Sequence, residues 1–315
     1  DYSLIDRIGD LMFRRTFLKA SGALLLAAPL SCSRPSGATA ERSPGLQLFT
    51  VMVELEKDFE GTLNAVAEIG YREVETIGAF GRDPRYVRDM LDKYGLTTPS
   101  QHLVPGNLYD VFNAFTQRRM SMAEVQKRWL AIMSVERVEP IITEAISRAR
   151  VLGQKYLVWQ ILWPEQMATR QQLDQFCRAM DVAGKLCADA GLVFNFHNHA
   201  DELQSRFGIV PYDVLIESTD PDRVKLEIDT YWITKGGGDP VRYLQRYPDR
   251  FVQCHLKDST PGGDFTTVGQ GVVDFPALLA AARRAGIKHY YVEYDRSVDP
   301  MTAVRQSWAY LVDLM

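Results

Sequence analysis

From Leu46 onward the chain repeats one pattern. A short apolar or alternating run is followed by a longer stretch with apolar residues at helical spacing, and then by a glycine or polar break. The short runs at 45–49, 73–76, 97–103, 155–159, 194–199, 224–229, 251–257 and 290–293 read as strands. Helical stretches are expected over 58–69, 83–93, 107–152, 171–190, 211–218, 239–247, 275–285 and 301–314, with Gly70, Gly95, Gly153 and Gly286 as stops. The part of the long third helical region at 120–128 is polar and is expected to cover one end of the fold. Eight strand–helix units over about 270 residues predict an α/β fold, a (β/α)8 barrel across 45–315. A doubly wound sheet is the alternative, but no glycine-rich nucleotide fingerprint follows the first strand.

The alternation within the later strands separates two faces. Val224, Leu226 and Ile228 oppose Lys225, Glu227 and Asp229. Val252, Cys254 and Leu256 oppose Gln253, His255 and Lys257, and Phe194 and Phe196 oppose Asn195, His197 and His199. Tyr290 and Val292 oppose Tyr291 and Glu293. The apolar set is expected to pack on helices and the polar set to face the barrel axis. Ionisable groups on that axis are costly unless they are paired or hold a metal, and C-terminal strand ends are where barrels of this type carry their active sites. Asp229, His255 and Glu293 end three successive strands. A set of oxygen and nitrogen donors without thiolate suits one open divalent site for Mn²⁺, Zn²⁺, Co²⁺ or Mg²⁺. Glu202 or His199 is the candidate fourth ligand, and an internal salt-bridge network is the structural alternative. Lys257 shares the inward parity of His255 and is a candidate to polarise a substrate oxygen, or else it pairs with Glu227 or Asp258. Glu75 and His102 end early strands and, with Trp232, are candidates to bind substrate. Trp159 and Trp163 are further stacking candidates, with core packing expected for at least one tryptophan.

Composition narrows the picture. The net charge of −4 and the absence of a long basic run argue against nucleic acid as a main partner. Cys32, Cys177, Cys187 and Cys254 are spaced neither as a disulfide framework nor as a thiolate metal site. Residues 1–44 read as an export signal and linker. Arg14 and Arg15 with Phe17-Leu18-Lys19 resemble a twin-arginine signal, and a short apolar run from Ala23 to Leu30 follows. That run is too short for a membrane span. A periplasmic address is therefore expected, with a lipid anchor at Cys32 as a variant of it. The sequence leaves the oligomeric state open.

Several segments together resemble the sugar phosphate isomerase/epimerase family, the xylose-isomerase-like barrels that include inosose dehydratases and ketose 3-epimerases. They are Gly45-Leu46-Gln47-Leu48-Phe49, Phe196-His197-Asn198-His199, Leu226 to Trp232, His255-Leu256-Lys257-Asp258, Val268 to Phe275 and Val292-Glu293-Tyr294-Asp295. The resemblance implies one divalent ion held by residues of strands five to eight. Asp229, His255 and Glu293 match the last three ligands. The glutamate that ketose epimerases carry in strand five falls at Asn195, and Glu202 is expected to replace it as first ligand, with His199 as the alternative. The implied substrate is a sugar, keto-sugar or cyclitol that reacts through an enediolate. Isomerisation or epimerisation is the leading expectation. A lyase or dehydratase acting on a keto-glycoside or inosose, and a non-catalytic sugar-binding protein, are the alternatives. His199 or His197 is the expected base, with Glu293 in a possible dual role. An endonuclease of the same superfamily is disfavoured, because that class gathers several metals with more histidines than the five in this chain.

Overall fold

The computed structural model describes residues 43–295 and 297–315, so the twin-arginine pattern and Cys32 lie outside the described residues. Eight parallel strands close into a barrel: β1 (Gly45–Gln47), β2 (Glu73–Ile77), β3 (Thr97–His102), β4 (Tyr156–Trp159), β5 (Val193–His197), β6 (Val224–Asp229), β7 (Phe251–Leu256) and β10 (His289–Val292). β10 closes the ring by pairing with both β7 and β1. Between β7 and β10 a short antiparallel hairpin, β8 (Asp258–Ser259) with β9 (Phe265–Thr266), stands outside the barrel. The expected (β/α)8 architecture is therefore the observed one.

The helices that coat the strands start where short polar side chains satisfy free backbone N–H groups. Asp58, Asp83, Asp239, Asp274 and Asp299 each accept a first-turn N–H, at the starts of α2 (Phe59–Ile69), α3 (Pro84–Lys93), α10 (Pro240–Arg246), α11 (Phe275–Arg284) and α12 (Pro300–Leu311). Thr169 and Gln172 form a reciprocal capping box at the start of α7 (Arg170–Asp189). The single helical region expected over 107–152 is instead α4 (Leu108–Thr116), α5 (Met122–Ile132) and α6 (Val138–Leu152). The chain turns after α4 at Arg118, which adopts a left-handed φ of 58°, and Ser121 caps α5.

The core lies between strands and helices. Val224, Leu226 and Ile228 of β6, and Cys254 and Leu256 of β7, are fully buried on the outward face. Phe176 of α7 sits between two outward strand residues, with ring centroids 6.0 Å from Trp159 and 5.8 Å from Phe196, both edge-on. Trp159 is thus a core residue and not a sugar platform. Gly45 begins β1 because a Cβ there would lie 2.8 Å from the inward ring of Tyr291.

The segment after β7 is organised by one carboxylate. Asp258 Oδ1 accepts the N–H groups of Ser259 and Val273, and Oδ2 accepts those of Gly269 and Gly271. A Cβ on Gly271 would strike Asp258 Oδ1 at 2.3 Å, which explains the glycine in Val268-Gly269-Gln270-Gly271. This folds residues 259–273 around the carboxylate and brings Phe265 of β9 against Tyr231, with centroids 4.3 Å apart.

Truncating Phe176 to Ala is expected to cost about 3–5 kcal/mol, read as a lower midpoint in urea unfolding. Asp258→Ala leaves several amides without their acceptor. It is expected to cost at least about 2 kcal/mol and to speed amide hydrogen exchange at 269–273 well beyond the rest of the barrel.

Candidate active site

The stretch Phe194 to Glu202 divides its side chains between three tasks. Phe194 and Phe196 point outward into the core. Asn198 joins β5 to β6 at their upper ends: Oδ1 accepts the Asp229 N–H at 2.9 Å, and Nδ2 donates to the Asp229 carbonyl at 3.3 Å. His197 and His199 face inward, with ring centroids 5.2 Å apart. The order His-Asn-His thus places a strand clamp between two site residues.

Below the mouth a buried polar web runs along the axis. Glu75 accepts from Gln47 and Ser100, and its Oε2 lies 2.7 Å from His255 Nε2. Glu227 Oε2 lies 3.0 Å from His102 Nε2 and 2.9 Å from His197 Nδ1. Burial works against charge here, yet Glu75 and Glu227 push His102 up to about 9, and Glu227 and Glu293 hold His255 far above the usual histidine range. Glu227 is in turn held at about 2 against its burial, because His255, His102 and His197 outweigh both desolvation and the repulsion of Glu75.

At the mouth, Asp229, His255 and Glu293 present donor atoms within 4.8 Å of one another. His255 Nδ1 lies 2.8 Å from Glu293 Oε2 and 3.9 Å from Asp229 Oδ2. Asp229 Oδ1 is committed to capping α9 (Thr230–Lys235), where it accepts the Trp232 N–H at 2.9 Å. Its Oδ2 is buried and has no hydrogen-bond partner among the described residues. Lys257 Nζ stands 3.2 Å from that oxygen, 2.7 Å from Glu293 Oε2 and 2.8 Å from Asp295 Oδ1. These acidic neighbours override its burial and keep Lys257 charged. The same lysine, with His255, outweighs burial to hold Glu293 below the usual carboxylate range.

His102, His197, Glu227 and His255 form a second, deeper group that shares His255. There the imidazoles and carboxylates pair with one another. The outer group reaches the cavity through Glu293, and Asp229 Oδ2 accepts no hydrogen bond among the described residues though Lys257 stands near it, so this is the group whose oxygen and nitrogen donors fit a divalent ion. His255 would offer Nδ1 to the ion and leave Nε2 against Glu75. A carboxylate behind a ligating histidine fixes the ring and its tautomer.

Three expectations are corrected. Glu202 joins neither donor group. It sits in a short turn of 3-10 helix, Asp201–Leu203, that carries it behind the histidine wall, where its carboxylate accepts the His199 N–H at 2.6 Å. Burial pushes it up to about 8. Asp201 lines the cavity in its place. Glu75 does not reach the substrate space: it is fully buried under His255. Lys257 pairs with neither Glu227 nor Asp258, because the Asp258 carboxylate turns away to the 269–273 amides. His102, His197, His199, Trp232, Lys257 and Glu293 do line one cavity of about 350 Å³. Asn195, where a strand-five carboxylate was looked for, instead donates to Gln253.

His199 differs from His197. Its Nδ1 has no partner among the described residues, and its ring leans on Trp232 at 5.0 Å. Burial, with the nearby Lys257 charge, keeps it neutral. His197 Nδ1 is occupied by Glu227. Glu227 and Asp295 were visible beforehand only as inward or terminal acids of β6 and β10. What marks them is the partner each finds at another strand, His102 for Glu227 and Lys257 for Asp295.

The barrel has counterparts among known proteins. The chain is 26% identical over 252 residues to an inosose dehydratase of Geobacillus kaustophilus, covering 69% of this chain and 73% of that one. It is 24% identical over 278 residues to an inosose dehydratase of Lacticaseibacillus casei, covering 80% of this chain and 87% of that one. A sugar phosphate isomerase/epimerase structure from Parabacteroides distasonis superposes with a TM-score of 0.70 at 26% identity, covering 88% of this chain and 96% of that one. The family model described as a xylose isomerase-like TIM barrel matches residues 63–314, and the chain belongs to that family.

Proposed function

We propose that this barrel is a divalent-metal-dependent lyase that removes a proton beside the carbonyl of a keto-sugar or cyclitol and expels a β-substituent. The observation that carries the reading is the convergence of Asp229, His255 and Glu293, of which Glu293 reaches a cavity walled by His199 and Lys257. When bound, a divalent ion supplies Lewis-acid polarisation of a carbonyl and stabilises the charge left by proton loss.

The chain's own groups supply the rest. His199, neutral and with Nδ1 free, takes the proton from carbon. The electron pair moves to form the new double bond as the β carbon–oxygen bond breaks, and the proton held by His199 passes to the leaving oxygen, so that an alcohol departs and the imidazole is neutral again. Lys257 donates a hydrogen bond to developing negative charge on oxygen, and Trp232 covers one face of the ring. His197, Glu227 and Glu75 hold the imidazoles in place from below.

Two observations support elimination. The inosose dehydratases similar to this chain carry that reaction type in their name. Asn195 also stands where the ketose epimerases are expected to carry a strand-five carboxylate, so the residue set implied for that reaction is incomplete here. Return of the proton to carbon would make the same site an epimerase or isomerase, a reading favoured by the Parabacteroides structure. The periplasmic setting read from the twin-arginine pattern also stands as a proposal, and it favours unphosphorylated substrates.

Metal analysis of the purified protein is expected to show bound divalent ion, and Asp229→Ala is expected to lose it. In metal-loaded protein, NMR should detect deuterium exchange at carbon and release of the substituent with keto-glycosides or inososes, lowered about 10³-fold or more by Asp229→Ala or His199→Ala. Exchange with inversion and no release would move the reading to epimerase. Sugar binding that survives Asp229→Ala, with no exchange in either protein, would identify a binding protein instead.

A further inference from the structure

The cavity has two unlike halves. The ion-binding candidates lie on β6, β7 and β10, and the polar groups His197, His199, Lys257 and Glu293 gather on that side. Across the barrel, above β3 and β4, the wall comes from α4, α5 and the segment after β4. It consists of Phe112, Phe115, Met122, Val125, Leu162 and Trp163. Helix α5, which the sequence marks as polar, turns Val125 inward (2% exposed), while Met122 stands at the lip (44% exposed). Phe112 is braced from behind by Trp129, with centroids 5.8 Å apart, so this wall is packed against the core.

A sugar ring does not suit this half. Each hydroxyl placed there gives up water and finds almost no partner. Besides His102 at the end of β3, two polar atoms interrupt the surface, Gln160 Oε1 and Trp163 Nε1, both buried and without partners among the described residues. They accommodate an isolated oxygen, not the hydroxyls of a second sugar. An apolar group placed there gains free energy by leaving water.

We infer that the α4–α5 side of the mouth is a subsite for an apolar, preferably aromatic, aglycone, so that the substrate is a keto-glycoside with an aryl-type substituent and not a free sugar or bare cyclitol. This rests on the lyase reading above and names the group that is expelled. The keto-sugar ring lies against His199, Lys257 and Trp232. Its substituent extends toward Phe112, Phe115 and Val125.

Equilibrium binding by calorimetry tests the subsite apart from the chemistry. The probes are phenyl and methyl glycosides of one sugar in their alcohol forms, which lack the carbonyl and cannot react. The phenyl glycoside is expected to bind at least about tenfold more tightly. Met122→Asp, at an exposed position that tolerates charge, and Phe115→Ala are each expected to bring the phenyl-to-methyl ratio close to one. A phenyl glycoside that binds no more tightly than the methyl one overturns the inference, as does a preference unchanged in both variants. The keto forms then separate the two readings. A phenyl preference erased by the variants, without turnover, retains the subsite and rejects the lyase. Turnover with equal affinities retains the lyase and rejects the subsite.

Discussion

The interior of this barrel is organised by the need to neutralise charge that has been taken out of water. His255 stands at the centre, with Glu75 2.7 Å from one ring nitrogen and Glu293 2.8 Å from the other. Glu227 reaches His102 and His197 from the next strand. An isolated buried carboxylate or imidazolium would be strongly disfavoured, and a mutually paired set offsets much of that cost. Because β2, β3, β5, β6, β7 and β10 each contribute to the set, the same pairing that makes the charges tolerable also holds the strand ends in register.

Above that layer a single ammonium takes over the pairing, and some side-chain atoms have no hydrogen-bond partner among the described residues. Asp229 caps a helix with one oxygen and turns the other to Lys257, and His199 keeps a free nitrogen beside Trp232. Lys257 supplies positive charge to three carboxylates at once. A site of this kind needs rigid support, since small displacements of positioned groups are costly to catalysis. Asn198 and Asp258 provide it through backbone hydrogen bonds, one tying β5 to β6 and the other gathering the loop that carries Phe265 over the mouth. The contrast with the apolar wall of α4 and α5 divides the mouth into a polar side and an apolar side.

The barrel was legible in the sequence because period-two alternation and helical spacing are local properties. In β6, β7 and β10 the parity of polar and apolar residues predicted which side chains face the axis, and Asp229, His255, Lys257 and Glu293 do converge there. Parity says nothing of height along the axis. Glu75 and His102 looked equivalent as early strand ends, yet one is sealed beneath His255 and the other reaches the cavity. Glu202 illustrates a second limit, because beyond the strand the chain turns, and a single turn of helix presents Asp201 where Glu202 was expected.

By itself the sequence determined the eight-unit architecture, the inward face of each late strand and the donor types gathered at the strand ends, all consequences of spacing along one chain. Only the tertiary structure decided which donors meet, because partners such as Glu75 and His255 are 180 residues apart and are joined only by closure of the barrel. It also decided the character of the mouth. Residues that read as a polar helix turn a narrow apolar face inward, and that face becomes a surface only when α4, α5 and the segment after β4 pack together.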